Sequence, residues 1–259
     1  MTYDPWSPDF VADPYPAYAE LRRDRPVYFD EPTGQWVVTR HADVNALLRD
    51  RRLGRTYLHV ASHEEFGRPQ EPEFLAPFWR LIRAGMLDVE PPDHTRLRRL
   101  VSKAFTPRRV EGLRARVREL ATELARGLAE RGGGDLLAEV AEPLPVTVIA
   151  EMLGIPAADQ PLLRPWSAQI CGMYELDPPD ETQRTAVRAS VEFSEYLRDL
   201  ARTRRAAPGE DLISALTAVE GLTEDELVGT CVLLLNAGHE ATVNATGNSW
   251  WALLRNPDQ

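Results

Sequence analysis

The sequence predicts a mainly α-helical fold with one small β-sheet near the N-terminus. Three observations carry that reading. From residue 94 onward, apolar residues recur at spacings of three and four, the period of helices packed on one side. The strand-like runs, PVYFD (26–30) and QWVVTR (35–40), lie together near the start around Glu31-Pro32-Thr33-Gly34. That tetrapeptide has proline at the second turn position and reads as a turn. The 259 residues, 43% of them apolar, are enough for a sizeable core and argue against disorder. A single domain over 1–259 is expected.

The elements follow in order. Residues 14–23 read as a short helix ending before Pro26. HADVNALLRD (41–50) returns to helical spacing, with Val44, Leu47 and Leu48 on one face. Residues 51–92 are irregular except for one helical candidate, EFLAPFWRLI (73–82). So long a segment is uncommon in a compact domain unless it serves as a lid or a pocket wall. HTRLRRLVSKAF (94–105) is a helix with Asp93 as its expected cap. Thr106-Pro107 gives the next helix a cap and a first-turn proline. In that helix Val110, Leu113, Val117, Leu120, Leu124 and Leu128 form one apolar stripe, stopped by Gly132-Gly133-Gly134. PVTVIAEMLG (145–154) is apolar all round, as a central helix is, and 181–205 is amphipathic. Thr223 with Glu226 fits a capping box. The pattern then runs to about Arg255, before Asn256-Pro257, a helix roughly 45–50 Å long.

The formal net charge of −10 disfavours nucleic acid as a bulk partner. No apolar run approaches the ~20 residues of a membrane span, and MTYDPWSPDFVADPYP lacks the regions of a signal peptide. Two cysteines, Cys171 and Cys231, make no disulfide framework. A cytoplasmic protein is expected. Charge is uneven: His94 to Arg118 holds nine Lys or Arg residues and one acid, Glu111. Lys103 is the only lysine, and this arginine bias suggests a GC-rich bacterial genome.

Two groups of residues bear on chemistry. The long helix carries LLLNAGHEATVN (233–244). A glycine in a helix interior costs about 1 kcal/mol relative to alanine, so Ala237-Gly238 needs a reason. Small residues let a flat ligand approach the backbone. Glu240 in an apolar helix is paired, solvated or functional. The other reading is a packing glycine beside an acid that points outward. His94 and Arg98, four apart, share one helix face. Together they supply donors for two carboxylates of one ligand, or they form part of a solvated basic face.

DVEPPDHTRLRRLVSKAFTPRRV (88–110) resembles the Asp-Pro-Pro-x-His-Thr-x-x-Arg segment of bacterial cytochrome P-450 monooxygenases. LLLNAGHEATVN resembles the central helix of that family, with its Ala-Gly-x-Glu/Asp-Thr pattern. WVVTRHADVNALLRD (36–50) and VTVIAEMLGIP (146–156) look like two further blocks, in the same order. The resemblance covers essentially the whole chain. It implies a cytochrome P-450 fold, haem as cofactor and oxidation of a small organic substrate with O2 and electrons supplied from outside. His94 and Arg98 would bind the haem propionates. Ala237 and Gly238 would lie over the distal face of the porphyrin, and Glu240 would help deliver protons there. Leu233, Asn236 and Met86 would line the substrate pocket. The arginine-rich 96–118 segment would dock an acidic electron donor such as a ferredoxin, or is a merely solvated face.

The chain departs from the family twice. The family's usual Thr after the acid is Ala241 here, and Thr242 follows. One helical step turns a side chain by about 100°, so Thr242 does not take the place of the missing hydroxyl. The family's iron-ligand loop, Phe-x-x-Gly-x-x-x-Cys-x-Gly, is not matched. Cys171 has Arg164 and Ser167 where Phe and Gly belong, and Cys231 lies inside the long helix. Glu-x-x-Arg spacings such as Glu20/Arg23, Glu111/Arg114 and Glu195/Arg198 all precede that helix. The expectation is a P-450 fold truncated after the long central helix, with no metal ligand in this chain and no competence as a monooxygenase alone. The alternative is a non-catalytic remnant that at most binds haem or another ligand.

Overall fold

The computed structural model describes residues 3–259. The chain divides into two compact units, one running to Gly54 and one from Arg55 to Gln259.

The first unit contains α1 (Pro8–Ala12), α2 (Tyr15–Asp24), strands β1 (Val27–Asp30) and β2 (Gln35–Val38), and α3 (His41–Leu47). The strands form an antiparallel hairpin that pairs Val27 with Val38 and Asp30 with Gln35. Asp30 accepts hydrogen bonds from both the backbone N–H and the hydroxyl of Thr33. Gly34 takes φ +64°, the left-handed conformation that a side chain resists. Helix α1 is capped by the Ser7 hydroxyl. The spacing of apolar residues did not reveal it, because five residues are too few to show a period.

The second unit is helical: α4 (Ala76–Ala84), α5 (Asp93–Ala104), α6 (Pro107–Gly112), α7 (Arg114–Glu130), α8 (Pro143–Leu153), α9 (Gln160–Cys171), α10 (Asp180–Ala206), α11 (Leu212–Thr217) and α12 (Glu224–Arg255). The sequence reading does not include α9 and α11, and three further details differ from it. Asp93 is not a cap: Pro92 holds that position and Asp93 lies in the first turn, where the helix dipole favours an acid. The helix expected through Val110–Leu128 is two, with a turn at Leu113 after Gly112, a weak helix former. A π-helical turn, Leu137–Ala141, precedes α8.

Helix α12 is the axis of this unit. Its 32 residues pack on α4, α8, α9, α10 and α11. The Thr223–Glu226 capping box is formed at its start, and Glu226 also pairs with Arg96 of α5. One carboxylate thus satisfies an end of α12 and ties a second helix to it. The core centres on Leu227, Val228, Cys231, Val232 and Leu235 of α12, with Phe193 and Leu197 of α10. Residues 55–92 are irregular but tied down. Arg55 donates to Asp88 at 2.9 Å, Tyr57 bonds His63 at 2.8 Å, and Glu71 holds Arg83.

The tightest crossing lies where α4 ends against α12. A Cβ added at Gly229 would stand 2.6 Å from the Gly85 nitrogen and 2.7 Å from the Ala84 carbonyl carbon. Backbone cannot yield there without moving α4. A Cβ at Gly238 would instead meet the mobile end of Ile149, at 2.1 Å from Cδ1. Gly229→Ala is therefore expected to cost about 2–3 kcal/mol in urea unfolding, through overpacking. Gly238→Ala should cost about 1 kcal/mol or less, and combining it with Ile149→Ala should remove the clash, leaving the higher helix propensity of alanine. Equal losses at the two glycines would contradict this packing.

Candidate functional site

The middle of α12 divides its residues among different faces. Up to Leu235 nearly every side chain is in the core. From Ala237 onward exposure spreads round the helix: Ala237 and Ala241, four apart, are exposed, and so are Thr242, Asn244 and Ala245. Gly238, Thr242 and Thr246 belong to another face. With Val148, Ile149 and Trp250, among others, they line an apolar groove of about 240 Å³. Two expectations are thereby located. Gly238 is needed for the approach of α8, because Ile149 occupies the space of its missing side chain. Thr242 lies on the groove side, and Ala241 holds the position beside Ala237.

Glu240 sits between these faces with its side chain 41% exposed. Its charge acts on two neighbours, His239 and Cys171. Burial and then Glu240 push the Cys171 thiol up to about 11, against a hydrogen bond with Ser167 that lowers it. Burial pushes Cys231 up to about 12. Both cysteines are therefore thiols rather than thiolates at neutral pH, with Cys231 fully enclosed in the core.

Leu233 and Asn236 line a small cavity with Ile82, Gly85, Leu87 and Tyr174. Its free volume is about 10 Å³, the room of a single water at most. Its lining is largely apolar. Asn236 is the polar exception: it is buried, and its Oδ1 accepts a hydrogen bond from the buried Ser167 hydroxyl at 3.0 Å. Its amide also lies against the Tyr174 hydroxyl, which burial pushes up and Asn236 lowers. Met86 packs on the core, while its neighbours Gly85 and Leu87 face the cavity. Ser167 and Tyr174 carry no one-dimensional signal for this role. Pro165 interrupts the pattern of α9, and Tyr174 follows it in a short turn.

His94 and Arg98 stand on α5, His94 half-buried and Arg98 exposed. Arg98 has no acid partner among the described residues; the His94 ring acts on the Glu90 carboxylate through space, while the His94 backbone N–H donates to the Glu90 carbonyl at 3.0 Å. Glu90 is itself held below the usual carboxylate range by the backbone N–H groups of Arg55 and Thr56. The residue between them, Arg96, is committed to Glu226 and fixes α5 against the start of α12. Sequence spacing could not show that, because the partners lie 130 residues apart. A larger cavity of about 430 Å³ opens beside His94, lined by Thr56, His59, Arg83, Asp88, Glu90 and Asp93. Of the basic run, Arg96, Arg109, Arg114 and Arg116 hold acids or a carbonyl. Arg99, Lys103, Arg108 and Arg118 remain without an acid partner among the described residues.

Comparison with known proteins covers nearly the whole chain, although no family model matches it. It is 39% identical over 264 residues to the vitamin D(3) 25-hydroxylase of Pseudonocardia autotrophica, covering 99% of this chain and 62% of that one. The cytochrome P450 monooxygenase PikC of Streptomyces venezuelae is 39% identical over 261 residues, covering 97% of this chain and 58% of PikC. Among solved structures, P450BioI in complex with an acyl carrier protein superposes with a TM-score of 0.88 at 30% identity, over 98% of this chain and 64% of that one. The P450 PksS structure from Bacillus subtilis 168 matches with a TM-score of 0.83 at 31% identity, over 99% and 63%. The chain thus spans about three fifths of the relatives it matches. With the helical order and the small hairpin in place, the chain is similar over nearly its whole length to bacterial cytochrome P450s, and matches about three fifths of theirs.

Proposed function

We propose that this chain is the N-terminal portion of a haem-dependent monooxygenase that oxidises a small, largely apolar organic molecule with O2 and externally supplied electrons. Both compact units are assigned to one haem domain. The observation that carries the reading is the exposed Ala237–Ala241 face of α12, with Glu240 beside it, in a chain that matches P450 structures from end to end. The second reading is a non-catalytic remnant. It is favoured by the placement of both cysteines, Cys231 enclosed in the core of α12 and Cys171 on α9, neither in a loop of the iron-ligand pattern.

The residues present fit the cofactor in part. His94 and Arg98 are donors without an acid of their own, suited to two propionate carboxylates. Two alanines leave a helix face open to a flat ring. A P450 haem held by a cysteine thiolate supplies the electron push for O–O cleavage; Cys171 and Cys231 are unsuited to that ligation. This chain's own contributions are therefore to hold the propionates, present a flat face, supply one apolar wall of a substrate site and move protons at Glu240. The space at Leu233 and Asn236 holds no more than a water in this chain, so a substrate would meet their largely apolar lining only in a wider site. Gly238 serves the face chiefly by letting α8 set the tilt of α12.

The relatives' printed substrates belong to those proteins, and so does the carrier-protein partner of P450BioI. For this chain the proposed partner is a ferredoxin-type donor, met by the four unpaired cations Arg99, Lys103, Arg108 and Arg118. Complementary charge raises encounter rates, and salt should weaken the effect. Among the described residues no helix is long and apolar enough to cross a membrane.

Three outcomes are expected. The purified chain, reduced with dithionite under carbon monoxide, should show no thiolate-type difference band; such a band would overturn the proposed inactivity. Haem titration followed by tryptophan quenching should give binding weakened about tenfold by His94→Ala and again by Arg98→Ala, the usual loss for a charge-assisted hydrogen bond. Unchanged affinity in both variants would remove the propionate assignment. The missing hydroxyl at position 241 leads to the third. We propose that a water or a substrate hydroxyl carries the proton that a threonine would carry. In protein extended to include a cysteine loop, Ala241→Thr should raise the coupling of oxygen use to product for substrates lacking a hydroxyl, and have little effect on those bearing one. Coupling indifferent to the substrate hydroxyl would sink the idea.

A further inference from the structure

From Arg55 to Phe74 not one residue is buried. A stretch with few buried apolar contacts opens at low cost unless polar bonds hold it. Here those bonds fall into two sets. One set closes the segment on itself. The rings of Tyr57 and Phe66 stack at 3.9 Å, with 7° between their planes. The Tyr57 hydroxyl lies 2.8 Å from His63 Nδ1. Glu65 accepts from the backbone N–H of Ser62 at 2.8 Å, and the Ser62 hydroxyl accepts from that of Glu65 at 3.2 Å. The Arg68 backbone N–H donates to the His63 carbonyl at 2.8 Å. Residues 57–68 thus form a loop packed by its own side chains. The other set ties this loop to the rest of its unit, unequally at the two ends. At the start, Glu90 accepts from the backbone N–H groups of Arg55 and Thr56, and Asp88 takes the Arg55 guanidinium at 2.9 Å. At the far end, one polar tether to α4 stands among the described residues: Glu71 holds Arg83. The same Glu71 oxygen lies 3.5 Å from His63 Nε2, which joins the tether to the loop's own network. Arg83 lies over the Trp79 ring, 5.0 Å from its centroid, and is thereby kept against α4.

We propose that residues 57–71 are a strap that swings as one body about Arg55–Thr56 and is latched shut by Glu71 on Arg83. Three hydrogen bonds hold the hinge end and one ion pair holds the other, so the Glu71 end is the one that gives. The latch is modest by design of its surroundings. Arg83 and Glu71 are 36% and 25% exposed, and a partly solvated ion pair opens without unfolding what lies around it. Its position gives it a consequence. Leu58 and His59 of the strap and Arg83 of the latch all line the cavity of about 430 Å³. Opening the latch takes Leu58 and His59 off one wall of that cavity and frees Arg83 to turn toward it. On this side the cavity is therefore closed by a single carboxylate rather than by packed apolar side chains. His63 is a positioning residue, because it connects the latched carboxylate to Tyr57 and so to the stacked rings. Access to the cavity then follows the state of the Glu71–Arg83 pair.

The test uses the 259-residue chain. Spin labels are placed by Glu64→Cys on the strap and Arg188→Cys on α10, both exposed positions, in a Cys171→Ser background; Cys231 is enclosed and escapes labelling. Pulsed EPR then reads the distance between strap and helix. The parent should give one narrow distance. In Glu71→Gln a second, longer distance should appear, with the closed-to-open ratio lowered about fivefold, the upper worth of a partly exposed ion pair. Arg83→Gln should do the same, and the double variant should add nothing to either single change, because both remove one contact. A distance unchanged in both single variants overturns the latch. Amide exchange read by mass spectrometry on the same proteins tests the motion as one body. The amides of Phe66, Gly67 and Arg68, bonded inside the strap, should keep their protection in Glu71→Gln. Faster exchange there means that the strap unravels instead of swinging, and overturns the hinge. Loosening that spreads to the amides of α10 in both variants shows a general loss of packing and overturns the latch as well.

Discussion

The close crossing of α12 and α4 at Gly229 and Gly85 constrains everything built on the long helix. Backbone meets backbone there, so neither helix can shift without opening the core around Leu227, Val228 and Val232. The start of α12 is fixed as well, by a capping box whose acid, Glu226, also holds Arg96. With its first half clamped at two points, a straight helix has little freedom in where it carries Ala237 to Thr246. The site residues are thus placed by packing one to four turns upstream. The cost of a glycine at 229 is about 1 kcal/mol in helix propensity. The approach it permits buries two helix faces, and each large apolar side chain buried is worth about 1.5–3 kcal/mol, so the packing term wins.

The same logic separates two glycines that look alike in sequence. Gly229 admits another backbone, whereas Gly238 admits one flexible side chain, that of Ile149. Its neighbours at 237 and 241 are alanines on a different face. A flat ligand would meet those alanines, and α8 meets Gly238 and Thr242. The helical step of about 100° therefore matters to chemistry: moving a hydroxyl from 241 to 242 turns it from the Ala237 side toward the apolar groove, though both positions are exposed.

Much of the fold was legible because its signals are local. The capping box at Thr223, the glycine stop after Leu128 and the turn at Gly34 each depend on residues within a few positions of one another. Asp93 misled for the same reason: a cap residue type stood next to the helix, but Pro92 took the cap position. Helix α9 escaped because Pro165 lies inside it and blurs its period. The site was legible only in its α12 and α5 motifs. Contacts that give the motif residues their surroundings join distant parts of the chain: Arg96 to Glu226, Ser167 to Asn236, Arg164 to Glu142. No spacing rule reaches across such separations. His239 was visible as a letter in a motif, yet its burial and its orphaned nitrogen belong to three dimensions.

Surface area connects these local results to what the chain can do. Apolar side chains are exposed in clusters: Trp251, Leu253 and Leu254 at the end of α12 are 61%, 50% and 76% exposed, and the groove beside Thr242 is lined mainly by carbon. Apolar surface of that extent in a lone chain favours association. The same face also governs the electrostatics of Glu240. Covered, it would place the acid in a low-dielectric setting where a proton route matters; open, water reaches it directly. The proton chemistry proposed for Glu240 is therefore a property of the covered protein.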